Sequence, residues 1–324
     1  MENKKNLCIG IYSPSIAITA IVPERFKRGV EYLEGKGFKI KQGILTGKKD
    51  HYRSGTIKDR ALELNTLIRD DEVDIIMSTT GGTNSNSLLP YIDFEYLKKH
   101  PKIFIGYSDV TAILLAVYAK TGIVPLYGPA FVASFGEFPP LVDETYEYFM
   151  NIVGEGFKTP YTLPTPEHWT DEFLDWKTQK RAKTLRPNKL ITVNEGKVRG
   201  RLMGGNLNTI QGIWGSEYMP EIKKGDILFI EDSLKDAATV ERSFSMLKVN
   251  GVFDKVSGII LGKHELFKDM NTGRKPYEIL LEVLNGQKIP FLADFDCSHT
   301  HPMLTLPIGK EVELDTVNQT VTVL

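Results

Sequence analysis

The sequence predicts an α/β protein: an N-terminal domain built on a parallel sheet wound on both faces, followed by a smaller, β-rich α/β C-terminal domain. Three observations carry this expectation. Short buried apolar runs alternate with helical patterns through the first half of the 324 residues, and strands separated by helices mean right-handed βαβ units and a parallel sheet. The texture changes after Gly154, where periodicity weakens and β signals then take over. The length fits two domains at roughly 100–200 residues each. The expected boundaries are 1–157 for the first domain, 158–187 for an irregular excursion, and 188–324 for the second domain.

Each element has its own reason. Leu7–Tyr12 is a short apolar run, hence a buried strand, with Ser13-Pro14-Ser15 as the loop at its carboxyl end. Pro23–Gly35 reads as a helix, with Phe26, Val30 and Leu33 at helical spacing and Gly35 and Gly37 as stops. Phe38–Ile44 is a second strand, and Thr56–Asp70 a helix with Ala61, Leu64 and Ile68 on one face. Val73–Met77 is a third strand that ends in Ser78-Thr79-Thr80-Gly81-Gly82-Thr83, Lys102–Gly106 a fourth, and Val110–Thr121 the helix after it. Lys158–Pro187 carries several prolines, two tryptophans and mixed charges; long irregular segments of this kind are usually functional. Strands are then expected at Leu190–Val193, Lys197–Leu202, Ile227–Ile230 and Val256–Leu261, with Glu311–Leu314 and Thr320–Leu324 as a terminal hairpin. Lys235–Val249 and Tyr277–Asn285 are the helices between them.

Composition excludes several classes. With 40 Lys+Arg against 41 Asp+Glu, the formal net charge of −1 gives no global basic field for nucleic acid or an anionic membrane. Two cysteines, Cys8 and Cys297, cannot build a disulfide framework or a four-thiolate metal site. No apolar stretch reaches the roughly 18 residues of a membrane span. Lys4 and Lys5 ahead of Leu7–Tyr12 weakly imitate a signal peptide, but Ser13-Pro14-Ser15 interrupts the run and no small-residue cleavage site follows. A first strand and cytoplasmic residence are therefore expected.

The strongest chemical signal is Gly106-Tyr107-Ser108-Asp109-Val110-Thr111, where a buried strand runs straight into a helix. Such an elbow holds the Ser108 hydroxyl at the head of a helix, with the Asp109 amide aimed at a developing oxyanion. The alternative is that Ser108 only caps the helix. Thr80-Gly81-Gly82-Thr83-Asn84-Ser85-Asn86, after the third strand, could bring a second amide donor; the alternative is a plain tight turn. No Gly-Lys-Ser/Thr follows, so it is not a phosphate-binding P-loop.

A serine nucleophile needs a base and an orienting acid. Of six histidines, His51, His100 and His168 sit in polar contexts and read as solvated, while His264 could line a cleft. His299 and His301 lie in the polar segment Asp294–Pro302 between apolar runs. Glu231 or Asp232, ending the strand Ile227–Ile230, could orient the base or be turn residues. His299, His301, Asp294 and Asp296 are metal-ligand types, but no further cluster completes a site. Cys297 as nucleophile ranks lower still, since it has no elbow.

Taken together, these segments resemble the LD-carboxypeptidase family of serine peptidases, which use a Ser–Glu–His triad. The resemblance runs over almost the whole chain, adding Leu88-Leu89-Pro90-Tyr91-Ile92-Asp93, Gly204-Gly205-Asn206-Leu207, Phe229-Ile230-Glu231-Asp232, His299-Thr300-His301-Pro302 and Leu306-Pro307-Ile308-Gly309 to the motifs above. It implies a flavodoxin-like, doubly wound N-terminal domain and a cleft between the domains. It implies Ser108 as nucleophile, Glu231 as orienting acid, His299 as base, and the Gly82 and Asp109 amides as the oxyanion hole. It implies hydrolysis of an amide bond without metal or organic cofactor, and a homodimer. A two-lobed ligand-binding protein without catalysis is the competing class.

Members that act on murein tetrapeptides usually carry Arg before the two glycines; this chain has Thr80. The Gly-Gly-x-Asn-Ser-Asn run and the long excursion resemble instead the branch related to microcin C immunity peptidases, which cleave the bond joining an amino acid to a nucleotide-like group. The substrate expected is therefore a small peptide or an aminoacyl nucleotide. Gly81, Thr83, Asn84, Trp169 and His301 are the candidate substrate contacts, His301 at a position often acidic in close relatives. A tryptophan face stacks on a base for about 1–3 kcal/mol. For Trp176 a buried anchor that pins the loop is the expectation, and Trp169 stands open between the two roles.

Overall fold

The computed structural model describes residues 7–154 and 157–324; Lys4 and Lys5 lie outside the described residues. The first half carries β1 (Cys8–Tyr12), β2 (Lys39–Gln42), β3 (Ile75–Ser78), β4 (Ile103–Gly106) and β5 (Leu126–Tyr127). They pair in parallel in the spatial order β2-β1-β3-β4-β5. That is the flavodoxin-like order, whose winding reverses between β1 and β3, where ligands gather outside the carboxyl ends of the strands. β1 and β3 are buried at every position, as central parallel strands covered on both faces must be. β2 is the edge, and its Lys39, Lys41 and Gln42 shorten the expected strand to four residues.

The helix Pro23–Gly35 begins with proline in its first turn, where a missing N–H costs nothing. Ile57–Ile68 is closed by a capping box: Thr56 Oγ1 accepts from the Asp59 N–H, and the Asp59 carboxylate accepts from the Thr56 N–H, both at 3.2 Å. A further helix, Leu141–Val153, was not among those expected; Leu141, Val142, Thr145, Phe149 and Ile152 give its buried face, a helical spacing that the sequence does carry after Pro139-Pro140.

Beyond it come β6 (Tyr161–Thr162), β7 (His168–Trp169), β8 (Arg186–Pro187), β9 (Ile191–Asn194), β10 (Lys197–Asn206), β11 (Ile227–Glu231), β12 (Gly258–Gly262), β13 (Phe291–Phe295), β14 (Leu306–Pro307), β15 (Glu311–Asp315) and β16 (Thr320–Val323). The second sheet runs β6-β16-β15-β10-β11-β12-β13-β9. Its middle, β10 to β13, is parallel, and antiparallel strands flank it. The expected hairpin is β15–β16, with Val312 opposite Val323. Two features depart from the expected layout. β14 crosses back to pair antiparallel with β5 at the edge of the first sheet, and the excursion supplies β6 to the second sheet and a β7–β8 ribbon.

The two parallel sets point their carboxyl ends at the same space. Ser13–Ser15, Thr80–Thr83 and Ser108 follow β1, β3 and β4; Asn206, Glu231 and His299 end or follow β10, β11 and β13. Among the described residues no helix is long and apolar enough to cross a membrane.

Candidate active site

Ser108 sits at the β4-to-helix junction with a left-handed φ of +61°. A non-glycine residue held there stores local strain, which a sharp elbow uses to thrust its side chain clear of the backbone. The hydroxyl does not cap the helix. Its Oγ lies 2.9 Å from His299 Nε2, and His299 Nδ1 lies 2.7 Å from Glu231 Oε2. The Ser108 backbone is held from both ends: its N–H donates to Tyr127 Oη at 3.1 Å, and its carbonyl accepts from Thr111 Oγ1 at 2.6 Å.

Glu231 is wholly buried, yet its carboxylate is well supplied. Oε1 accepts from Tyr127 Oη at 2.5 Å and from Asn206 Nδ2 at 2.9 Å, while Oε2 takes the imidazole. Burial alone would push this carboxyl up, but the facing His299 and the three hydrogen bonds hold it below the ordinary range. Burial likewise opposes charge on His299, and Glu231 outweighs it, so the imidazole sits above its usual 6.5. Tyr107 packs edge-on against His299 at 5.0 Å between ring centroids, which fixes the ring plane. Tyr127 therefore joins the Ser108 backbone to the Glu231 carboxylate, with one end on each sheet.

The glycine loop lies directly against Ser108. A Cβ on Gly81 would stand 2.9 Å from Ser108 Oγ and 3.1 Å from the Asp109 nitrogen. A Cβ on Gly82, whose φ is +149°, would stand 2.1 Å from Ser15 Oγ. No side chain fits at either place. Asp109 fixes the loop: its Oδ2 accepts the amides of Asn84 and Ser85 at 3.0 and 2.9 Å. Ser15 Oγ accepts the Thr83 amide at 3.0 Å and donates to Asn84 Oδ1, which also accepts from Arg60 at 2.7 Å.

These groups open into a cleft of about 410 Å³. Gly81, Gly82, Thr83, Ser108, His299 and His301 line it, as do Thr80, Tyr107, Trp176, Lys183, Asn206, Asn208, Lys235 and Glu265. Two candidate contacts lie outside that lining. The Asn84 side chain is taken up by Ser15 and Arg60, which makes it a support of the loop. Trp169 instead stands between Arg186 and Lys263, 5.7 and 5.5 Å from its ring centroid, on the β7–β8 ribbon. Trp176 corrects the expectation of a pure anchor: it packs on Arg25 at 4.4 Å and also presents itself to the cleft.

The remaining candidates fall into place physically. His51 is exposed, and His168 in β7 and His264 are half-buried, the latter with Nε2 accepting the Lys235 amide at 3.2 Å. Burial brings His264 down to about 4, so it stays neutral. Asp232 Oδ2 accepts the Asn208 amide at 3.1 Å and does not touch His299. Cys297 is buried, its thiol pushed well up by burial. Asp294 and Asp296 answer Lys263: the Asp294 carbonyl and the Asp296 carboxylate both accept from its ammonium. Among the described residues no cluster of three His, Cys, Asp or Glu side chains has metal-holding geometry. Sequence reasoning missed Tyr127, Lys183 and the Asn206 contact to Glu231. Only Asn206 had a local signal, Gly204-Gly205-Asn206 at the end of a long strand.

Comparison with known proteins agrees over both halves. Residues 9–128 match the LD-carboxypeptidase N-terminal domain and residues 199–314 the LD-carboxypeptidase C-terminal domain. The chain is 56% identical to the microcin C7 self-immunity protein MccF of Escherichia coli, over 97% of this chain and 92% of that protein. It is also 56% identical to a putative carboxypeptidase of Vibrio cholerae, over 96% and 93%. Solved structures of MccF in complex with aspartyl sulfamoyl adenosine and with glutamyl sulfamoyl guanosine match with a TM-score of 0.96 at 56% identity, over 98% of this chain and 96% of theirs.

Proposed function

The chain belongs to the LD-carboxypeptidase family and is a serine-type hydrolase, and from that premise we propose that it cleaves the acyl–nitrogen bond joining an amino acid to a nucleotide, as in a processed microcin C-like antibiotic, and so confers immunity or resistance. The observation that carries the reading is the unbroken path Ser108–His299–Glu231, at 2.9 and 2.7 Å, on the wall of the cleft. Ser108 Oγ attacks the acyl carbon while its proton passes to His299 Nε2. The imidazolium is stabilised by Glu231 through the Nδ1–H, and the oxyanion by the amides of Gly82 and Asp109. His299 then gives that proton to the leaving nitrogen as the acyl–nitrogen bond breaks. Water repeats the attack on the acyl-enzyme, passing a proton through His299 back to Ser108 Oγ, and releases the amino acid.

Trp176 offers a face for the nucleobase, and this supports a nucleotide as leaving group. Thr80 brings a hydroxyl and no cation to the cleft, which favours this substrate over release of D-alanine from a murein tetrapeptide. The latter stands second, in view of a probable murein peptide carboxypeptidase of Bacillus subtilis at 27% identity. Domain limits of 1–157 and 188–324 about the excursion, a homodimer and cytoplasmic residence belong to the same proposal.

The test incubates the protein and its Ser108→Ala variant with aspartyl sulfamoyl adenosine and with a murein tetrapeptide, products being read by mass spectrometry. Cleavage of the nucleotide conjugate, lost in the variant, is expected. Cleavage of the tetrapeptide alone would transfer the protein to cell-wall recycling, and full turnover by Ser108→Ala would remove the serine mechanism.

A further inference from the structure

Two polar side chains that the mechanism above leaves unused line the cleft without a hydrogen-bond partner among the described residues. Lys183 is 6% exposed and lines the cleft. Among the described residues its ammonium has no hydrogen bond and no carboxylate within 4.0 Å. The carboxylates that act on it from further off are Glu137, Glu265 and Glu172. Glu137 is engaged by Arg25 at 3.0 Å and by Gln179 Nε2, and Glu172 is engaged by Arg181 at 2.7 Å. Glu265 lines the cleft, and burial pushes its carboxyl toward the neutral form.

His301 is 5% exposed and lines the same cleft. Its Nδ1 is buried without a partner, and its ring makes no hydrogen bond among the described residues. Its backbone is fixed by reciprocal hydrogen bonds with Thr170 at 2.8 and 3.0 Å, so the ring stands on a rigid support.

An ammonium withdrawn from water without a counter-charge is costly, and buried polar atoms as a rule have partners. Both side chains line the cleft, so a ligand there can supply the partner. We propose that Lys183 and His301 form a seat for an anionic oxygen group of the substrate. The seat rests on the aminoacyl-nucleotide reading, which offers that chemistry from two sources: an acidic side chain on the acyl group, or the phosphoryl of the leaving nucleotide. Lys183 supplies the charge, and the His301 ring, which burial and the nearby Lys183 and Arg25 charges keep neutral, supplies an N–H donor. Lys183 lies on the same excursion as Trp176, so one segment carries both a base-stacking face and an anion contact.

The test compares wild type, Lys183→Met, Lys183→Arg and His301→Gln on aspartyl and asparaginyl sulfamoyl adenosine, with adenosine monophosphate binding followed by calorimetry and folding by circular dichroism. Loss of one charge-assisted hydrogen bond corresponds to a ten- to hundredfold change. If the seat takes the side-chain carboxylate, Lys183→Met loses that factor in kcat/KM on the aspartyl compound, chiefly through KM, and less than threefold on the asparaginyl one. If it takes the phosphoryl group, both compounds fall alike and affinity for adenosine monophosphate falls with them. Lys183→Arg retains most of the wild-type value, and His301→Gln shows a smaller loss in the same direction. Changes under twofold on all three ligands in folded Lys183→Met would overturn the seat. A wild type inert on both conjugates, whose binding of adenosine monophosphate still depends on Lys183, would overturn the aminoacyl-nucleotide reading and leave the seat standing.

Discussion

Replacing Tyr127 with Phe removes one oxygen atom and two hydrogen bonds. Tyr127 Oη accepts the Ser108 N–H at 3.1 Å and donates to Glu231 Oε1 at 2.5 Å. The first bond holds the strained φ of Ser108; the second helps keep a wholly buried carboxylate charged. A hydrogen bond to a charged group contributes about 1.5–3 kcal/mol, and a buried N–H left alone costs about 1–3 kcal/mol. The sum is an upper bound, because Asn206 and His299 still serve Glu231 and the elbow can relax. We expect stability to fall by about 2–4 kcal/mol on that basis. At 1.36 kcal/mol per decade, loss of the Glu231 bond in the transition state lowers kcat about 10- to 100-fold. The KM should change little, because Tyr127 is not in the cleft lining. The assay is steady-state hydrolysis of aspartyl sulfamoyl adenosine beside urea unfolding of the same preparation. A variant destabilised as expected yet with kcat within twofold of wild type would refute the positioning role and leave Tyr127 as packing alone.

Other outcomes follow from the same geometry. His299 must be neutral to accept the proton, and Glu231 raises it above 6.5; kcat/KM should therefore fall as pH drops through an apparent pKa above 6.5. Glu231→Gln removes the charge that raises it, so the limb should move to lower pH while the maximal rate falls steeply; an unmoved limb in a pH–rate profile would detach His299 from it. Trp176→Ala should raise KM for the nucleotide conjugate about 5- to 150-fold, the span of one base–aromatic stack of about 1–3 kcal/mol, with kcat held. An unchanged KM would return Trp176 to the anchoring role against Arg25.

The fold was legible because parallel sheets demand it. Central strands buried on both faces read as unbroken apolar runs, as Ile9–Tyr12 and Ile75–Met77 do, and glycines mark where the helices stop. β5 and β14 were not legible: two residues each, they are strands only because β4 and the returning chain lie beside them. The site divides the same way. Ser108 and the Gly81-Gly82 loop announce themselves, since an elbow and a close backbone approach are local properties of the chain. Glu231 and Asp232 are neighbours with the same chemistry, and so nearly are His299 and His301. Which of each pair meets the other is decided by strand alternation at the end of β11 and by the irregular register between β12 and β13. No local pattern reports that, and here the family resemblance pointed to Glu231 and His299. Tyr127 and Lys183 had no sequence signal, because each acts through residues far away along the chain.

Asp109 separates two physical reasons for having a carboxylate beside Ser108. In the proposed mechanism its amide serves the oxyanion, while its side chain holds the loop that carries the second proposed donor, Gly82. Both loop amides meet one oxygen, Oδ2, at 3.0 and 2.9 Å, so the loop needs an acceptor and has no evident need of a charge. Burial, opposed by those hydrogen bonds, leaves the carboxyl above its ordinary value, so the negative charge is not strongly favoured there. Asp109→Asn, with its amide oxygen turned to the same place, should keep both bonds and lower kcat less than about 10-fold, a loss under about 1.4 kcal/mol. Asp109→Ala leaves two amides without an acceptor and frees Gly82; removing an oxyanion donor typically costs about 100- to 1,000-fold in kcat, and that is the loss expected. Steady-state kinetics on the two variants decides. An Asn variant as slow as the Ala variant would mean that the charge itself holds the site, through the field it places on Ser108, and that the loop would stay in place without it.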